Sequence, residues 1–266
     1  MADARVILRA VKNTILSPIY GLYERRLFGS VIDQKMPNHI GFILDGNRRY
    51  ASAIGLHKGM AHSKGADKTE EILDWCFETK IRIISLYAFS TENFNRQKEE
   101  VDSIMTLAEN KFISIIESDK IHKNEVKIKA IGDLSMLPKR VIAAIRRAED
   151  NTESYRNYQI NICIAYGSLS EIVHAIRSIA YEVDAGKLEP GSIDIQTLRS
   201  HLSTGNIPDL DVVIRTGGES RLSNFLLLQS AYAELFFTDI YLPEFRKLDF
   251  LRIIRDYQKR KRRYGR

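Results

Sequence analysis

From Pro37 onward, two kinds of hydrophobic pattern alternate along the chain. The first is a short run of apolar, mostly β-branched residues: HIGFIL at 39–44, IRIISLY at 81–87, VKIKAI at 126–131, INICIAY at 160–166, DVVIRT at 211–216 and ELFFTDI at 234–240. Such runs predict strands. The second has apolar positions every three or four residues and predicts helices near 62–79, 98–120, 135–154, 168–185, 193–202 and 247–262. Strands separated by helices are joined by crossovers rather than tight hairpins, so they lie parallel and the helices cover the sheet. The pattern predicts one α/β domain over residues 36–266, a mostly parallel central sheet of about six strands flanked by helices. Neither a repeat nor a low-complexity linker interrupts it.

Residues 1–35 read differently. Val6, Ile7, Val11, Ile15, Ile19, Leu22, Leu27 and Val31 interleave with Arg5, Arg9, Lys12, Arg25 and Arg26, and Pro18 and Gly21 are expected to divide the stretch into two short amphipathic helices. Two roles fit: an arm packed on its own domain, or an interfacial segment touching anionic lipid. No apolar run is long enough to span a bilayer. No compact apolar run followed by a small-residue cleavage site marks a signal peptide. The two cysteines, Cys76 and Cys163, sit in apolar contexts, so buried thiols in a reducing, cytoplasmic compartment are expected, peripheral to a membrane if the arm takes the second role. A net charge of +6 points to an anionic partner, which by charge alone could be nucleic acid, a phosphorylated small molecule or a membrane surface.

In open α/β sheets ligands bind beyond the carboxyl ends of the strands, and the polar chemistry of this chain concentrates there. DGNRRYA (45–51) sets Asp45 at a strand end, followed by Gly46, Asn47, Arg48, Arg49 and Tyr50. One acid beside two arginines makes either a structural ion pair or a magnesium carboxylate with guanidinium donors for phosphate. GLHKGMAHSKG (55–65) looks like a phosphate-cradling segment but lacks P-loop spacing; Lys58 suits a phosphate contact and His62 a polar or proton-shuttling role. AFSTENFNRQ (88–97) crowds Ser90, Thr91, Glu92, Asn93, Phe94 and Arg96 onto a strand-to-helix turn, as a helix cap or as a polar loop with a task. IRTGGESRLSNF (214–225) surrounds a double glycine with Arg215, Arg221, Leu222 and Ser223, which suits a diphosphate. Glu234, a lone acid opening an apolar strand, requires a metal or an arginine nearby. No nucleic-acid motif is present, and aromatics do not interleave with the basic patches, so nucleic acid is not expected as a partner.

Taken together, HIGFILDGNRRYA, the glycine–histidine cluster, YAFSTENFNR, IRTGGESRLSNFLL and AYAE resemble, in order and spacing, the cis-prenyltransferases, the family of undecaprenyl and dehydrodolichyl diphosphate synthases. The resemblance runs from about residue 37 to the end and is closer to the archaeal and eukaryotic branch. It implies a magnesium-dependent enzyme that condenses isopentenyl diphosphate with an allylic prenyl diphosphate, working as a homodimer. By that resemblance Asp45 holds the magnesium-bound allylic diphosphate. Gly46, Asn47, Arg48 and Arg49 contact the same diphosphate, with Tyr50 beside the prenyl chain. His62 lies near it, and Lys58 stands where bacterial relatives carry arginine, keeping the charge without the bidentate fork. Ser90, Thr91, Glu92, Phe94 and Arg96 belong to the substrate loop, and Asn93 corresponds to the proposed proton acceptor; Phe94 and Gln97 replace a common tryptophan and proline. Arg215, Arg221, Leu222 and Ser223 would hold isopentenyl diphosphate, Glu234 would assist magnesium, and Arg263 and Gly265 would reach a partner's diphosphate site.

The growing chain would need an apolar tunnel. The stripe Val101, Ile104, Met105, Leu107, Ala108, Phe112, Ile115 and Ile116 offers one wall, although any core-facing helix shows such a stripe. Transfer of the prenyl group to another acceptor, such as a glycerol-type phosphate, is the competing activity. The absence of a DDxxD motif argues against a trans-type synthase.

Overall fold

The computed structural model describes residues 17–56 and 58–260, with the side chains of 17–19, 58 and 59 outside that description. Expectations for residues 1–16, the Lys58 contact, Arg263 and Gly265 therefore fall outside the described residues. Strands β1 (His39–Ile43), β2 (Ile83–Ser90), β3 (Val126–Ile131), β4 (Tyr158–Tyr166), β5 (Val212–Arg215) and β6 (Glu234–Phe237) form one sheet in the order β3-β4-β2-β1-β5-β6. Every pairing is parallel. The helices are α1 (Ser17–Ile32), α2 (Asn47–Ile54), α3 (Lys58–Glu78), α4 (Lys98–Ile116), α5 (Asp119–Lys123), α6 (Lys139–Thr152), α7 (Ser168–Asp184), α8 (Ile195–Ser200) and α9 (Lys247–Lys259).

The predicted fold is the observed one, and its local departures have physical reasons. The second strand begins two residues later than its apolar run because the Ile81 N–H closes the end of α3 on the Cys76 carbonyl, 2.9 Å away. It continues through Ser90, which pairs with Tyr166 past a bulge. The helix expected over 98–120 stops at Ile116, and Ser118 caps the separate α5 through the Ile121 N–H. Residues 17–32 form one helix that runs through Gly21, so the break expected there does not occur, while the division expected at Pro18 involves residues outside the described ones. Leu27 and Val31 of α1 are buried in the main core, and the Gln258 amide of α9 donates to the Val31 carbonyl at 3.0 Å.

Parallel strands covered on both faces read as continuous apolar runs, and all five residues of β1 are buried. One face packs under α1, α3, α4, α6 and α9 through Phe42, Trp75, Met105, Ile145 and Phe250. The other face holds Tyr87, Cys163, Tyr166 and Val213 beneath Phe225 and Leu226. Both cysteines are buried free thiols, as expected. The chain winds outward from β1 in both directions, through β2 on one side and β5 on the other, so a crevice opens where β1, β2 and β5 end.

Inside the sheet a polar ladder crosses three strands. The His39 Nδ1–H donates to the Pro208 carbonyl at 2.7 Å, which leaves Nε2 to accept from the Ser85 hydroxyl at 2.8 Å; Ser85 in turn accepts from Asn161 at 3.0 Å. Burial, opposed by that carbonyl and nearby aspartates, lowers the His39 pKa to about 4. A folded-state pKa below the unfolded value of 6.5 means that only the neutral ring is accommodated. Its contribution is complete above pH 6.5 and is lost as pH falls from there towards 4. Urea unfolding is expected to show about 2 kcal/mol less stability near pH 5 than near pH 7, with His39→Gln removing that part of the dependence.

Candidate active site

Asp45 emerges two residues beyond β1. Its N–H donates to the Ile43 carbonyl at 3.0 Å and to Thr216 Oγ1 at 3.1 Å, so the turns after β1 and β5 are tied together. Arg215, the last residue of β5 and only 4% exposed, extends Nη2 to Asp45 Oδ2 at 2.8 Å. Its Nη1 donates to Ser223 Oγ at 2.7 Å and to the Arg221 carbonyl. Arg49, one turn along α2, reaches Asp45 Oδ1 at 3.2 Å, and the Gly46 N–H reaches the same oxygen at 2.6 Å. Burial works to raise the Asp45 pKa, but the Arg215 hydrogen bond, the Arg49 and Arg215 charges and the Gly46 N–H outweigh it and hold the carboxyl below the usual range. Asp45 is ionised at neutral pH.

Glycine is required where these turns meet. Gly217 has φ 91°, and a Cβ there would lie 2.9 Å from Arg49 Nη2 and 3.0 Å from the Asp45 carbonyl carbon. Gly46 has φ 104° and would press a Cβ into Tyr241 at 2.9 Å.

Two further carboxylates organise the arginines. Glu100, in the first turn of α4 and 8% exposed, meets Arg96 Nη1 at 3.1 Å, His62 Nε2 at 3.3 Å and Arg48 Nε at 3.6 Å. Burial pushes its pKa up, but Arg48, Arg96 and His62 outweigh that and keep it ionised. Glu219 bridges Arg49 at 3.3 Å and Arg221 at 2.6 Å. His62 is held below the ordinary histidine value, first by burial and further by the Arg96 and Arg48 charges, against the opposing pull of Glu100.

These groups line a cleft of about 870 Å³ that contains Asp45, Gly46, Asn47, Arg48, Arg49, His62, Ser90, Glu92, Asn93, Arg96, Arg215 and Ser223. Its described lining carries four arginines and two carboxylates, Asp45 and Glu92. Two buried polar atoms of its lining, Asn47 Oδ1 and Arg215 Nε, have no partner among the described residues. Asn93 Oδ1 accepts from the Ser90 N–H at 3.2 Å, so the expected cap forms and the same asparagine still lines the cleft. Glu92 accepts from Asn224 at 3.1 Å.

Other expected residues stand apart. Tyr50, Thr91, Phe94, Arg221 and Leu222 do not line the cleft. Phe94 packs edge-on against Phe89 at 4.9 Å, and Leu222 packs on the second core cluster. Glu234 pairs in register with Val212 at the start of β5 and binds Arg260. It therefore lies about 10 Å along the strand below Arg215, one strand further out. Asp45 lies beyond the opposite strand ends, so within one chain Asp45 and Glu234 do not converge on one ion, and the lone acid has an arginine instead.

Glu100, Glu219, Thr216 and Asn224 escaped the sequence reading. Glu100 lies four residues after Arg96 and Glu219 between two arginines, but acids at a helix start read equally well as dipole partners.

A second, apolar cavity of about 230 Å³ lies between α3, α4 and the sheet, lined by Leu73, Leu86, Ile104, Leu107, Ala108, Phe112, Ile115 and Ile162 among others. Leu44, Asn47, His62, Ala88 and Ile104 line both spaces, so the cavity adjoins the cleft.

The family model described as "Putative undecaprenyl diphosphate synthase" matches residues 43–265. The chain belongs to the cis-prenyltransferase family. It is 50% identical over 260 residues, 98% of both chains, to the tritrans,polycis-undecaprenyl-diphosphate synthase (geranylgeranyl-diphosphate specific) of Pyrococcus horikoshii. It is 46% identical over 264 residues to the synthase of the same name from Methanopyrus kandleri, covering 99% of this chain and 97% of that one. Among solved structures, lavandulyl diphosphate synthase from Lavandula x intermedia, in complex with dimethylallyl diphosphate, superposes with a TM-score of 0.83 at 34% identity, covering 87% of this chain and 99% of that one. A probable undecaprenyl diphosphate synthase from Campylobacter jejuni gives 0.71 at 34% identity, over 87% of this chain and 100% of that one.

In this cis-prenyltransferase the turn glycines hold the charged groups at their separations. Gly217→Ala is expected to lower stability by about 1–2 kcal/mol and to reduce prenyl transfer at least tenfold, on the order of what a displaced Asp45–Arg49 pair costs. Thermal unfolding and steady-state kinetics of the variant check both.

Proposed function

We propose that this enzyme adds isopentenyl diphosphate units successively, in cis, to an allylic diphosphate, with geranylgeranyl diphosphate as starter, and so builds a long polyprenyl diphosphate for use as a lipid carrier. One observation carries this reading: an arginine-lined cleft suited to diphosphates adjoins an apolar cavity suited to a prenyl chain. The names of the relatives from Pyrococcus horikoshii and Methanopyrus kandleri support the starter.

In this reading Arg48, Arg49 and the cleft end of α2 take the allylic diphosphate, and Arg215, with its unpartnered Nε and Ser223, takes isopentenyl diphosphate. The prenyl chain passes Leu44, Asn47 and Ile104 into the space between α3 and α4. As the allylic C–O bond breaks and the isopentenyl double bond attacks, negative charge gathers on the departing diphosphate. Fixed guanidinium groups stabilise that charge more in the transition state than in the ground state. A proton then leaves the new unit, and Asn93 and His62 stand in the cleft to receive or relay it.

The donor set around Asp45 fits magnesium. Among the described residues no three His, Cys, Asp or Glu groups form a cage, whereas Mg²⁺ commonly takes one or two carboxylates and completes its shell with substrate phosphate and water. Bound to Asp45 and a diphosphate, it would draw negative charge from the leaving group.

Two further features complete the proposal. A homodimer is supported by β6, an edge strand unpaired on its outer side among the described residues, with Leu235 and Phe237 partly exposed, since an apolar edge invites pairing. A cytoplasmic enzyme touching an anionic membrane surface is supported by exposed Leu22 and Tyr23 beside Arg25 and Arg26 on α1. No helix among the described residues is long and apolar enough to cross a membrane. Each five-carbon unit buried adds up to about 4 kcal/mol of apolar transfer, so long products leave more readily into lipid than into water.

Incubation with geranylgeranyl diphosphate, labelled isopentenyl diphosphate and Mg²⁺ is expected to yield a series of elongated products, resolved by reversed-phase chromatography. EDTA abolishes it, and Asp45→Ala lowers kcat/KM by about 1,000-fold or more. Products without elongation would favour transfer to another acceptor. Ala108→Phe, which narrows the cavity, is expected to shift the same series towards shorter chains with initial condensation retained.

A further inference from the structure

The Glu100 carboxylate touches two arginines and a histidine of the cleft lining but does not itself line the cleft. All three contacts converge on the same oxygen, Oε1, from three different elements: Arg48 on α2, His62 on α3 and Arg96 after the turn that follows β2. The oxygen is behind the cations, and the cleft is in front of them.

We propose that Glu100 is a positioning residue that fixes His62 as the neutral Nε2–H tautomer, with Nδ1 as its acceptor nitrogen, and pins Arg48 and Arg96 in place for the substrate diphosphate. It rests on the diphosphate reading of the cleft. An ionised carboxylate only accepts, so the nitrogen facing it must carry the hydrogen, and a neutral imidazole then has its lone pair on the other nitrogen. Neutral His62 is therefore a one-way device: it donates to Glu100 through Nε2 and keeps the Nδ1 lone pair to take up a proton. The same oxygen anchors two guanidinium groups that would otherwise repel each other and rotate freely on long side chains. They meet the charge that develops on the leaving group already placed, so no reorganisation is needed at the moment of reaction.

Removing the Glu100 charge makes the cleft more positive, so diphosphate binding is retained or strengthened, while the placement needed for reaction is lost. A residue that merely stabilises the fold would not produce that split. Nor would it alter the histidine tautomer.

The first arm of the test needs no substrate. In protein labelled with ¹⁵N-histidine, two-bond ¹H–¹⁵N spectra at neutral pH are expected to show His62 as the Nε2–H tautomer, and Glu100→Ala to convert it to a mixture while the other histidines keep their signals. An unchanged His62 pattern overturns the proposal, whatever the activity. The second arm uses Glu100→Gln, which preserves shape. With geranylgeranyl and isopentenyl diphosphates, kcat is expected to fall at least about tenfold while the allylic KM rises by less than about threefold or falls. An unaltered kcat, or a defect confined to KM, overturns it. If the wild type bound pyrophosphate but joined no prenyl units, the function proposed above would fail, and the histidine spectra would still decide the role of Glu100.

Discussion

Crowding of positive charge in a half-buried cleft is the constraint around which this molecule is organised. Two like unit charges about 4 Å apart near a protein surface repel by about 4 kcal/mol, and the cleft gathers Arg48, Arg49, Arg96 and Arg215 in one place. They are tolerable without a ligand because each faces a carboxylate: Asp45 takes Arg215 and Arg49, Glu100 takes Arg48 and Arg96, and Glu219 takes Arg49 again. Breaking a buried pair is more costly than forming it is favourable, so the compensation also determines where the guanidinium groups stand. A diphosphate entering the cleft meets donors that are already oriented.

The parallel sheet makes that arrangement possible. Chain reversal around β1 leaves a crevice at the ends of β1, β2 and β5, and the register that pairs Ile43 with both Tyr87 and Arg215 brings the three following turns to one level. Charged groups gather on that rim because β1 and β5 are buried throughout and the sheet interior admits only polar groups that pair with one another, such as His39, Ser85 and Asn161. The apolar cavity beneath is the complementary consequence. α3 and α4 present aliphatic faces to the sheet but leave space between Leu73, Ala108 and Ile162, small and branched side chains that do not fill it. A chain with an anionic head and a hydrocarbon tail matches both halves.

Much of this was readable from periodicity, because strands covered on both faces carry long apolar runs and amphipathic helices carry stripes. All six strands and the long helices appeared at that level, with errors at ends decided by single hydrogen bonds, such as Ile81 on Cys76. α1 runs unbroken through Gly21, where a break was expected, because a glycine inside a helix costs only about 1 kcal/mol and Leu27 and Val31 anchor the helix in the core. At the site, Asp45, Arg49, Arg215 and Ser223 were legible since the motifs that contain them follow strands directly. Glu100 and Glu219 were not. Their roles depend on which arginines the fold brings to them, and sequence distance carries little of that: Glu100 lies 52 and 38 residues from Arg48 and His62. The stripe on α4 was ambiguous for a similar reason, since lining a cavity and filling a core demand the same residues. Here Met105 is buried in the core while Ile104, Leu107 and Ala108 line the open space.

The most direct test of the account is a crystal structure with an unreactive thiolo analogue of geranylgeranyl diphosphate. The account predicts the diphosphate among Asp45, Arg48 and Arg49 and the hydrocarbon running past Asn47 and Ile104 between α3 and α4. A prenyl chain lying anywhere else, with the α3–α4 space empty, would contradict it.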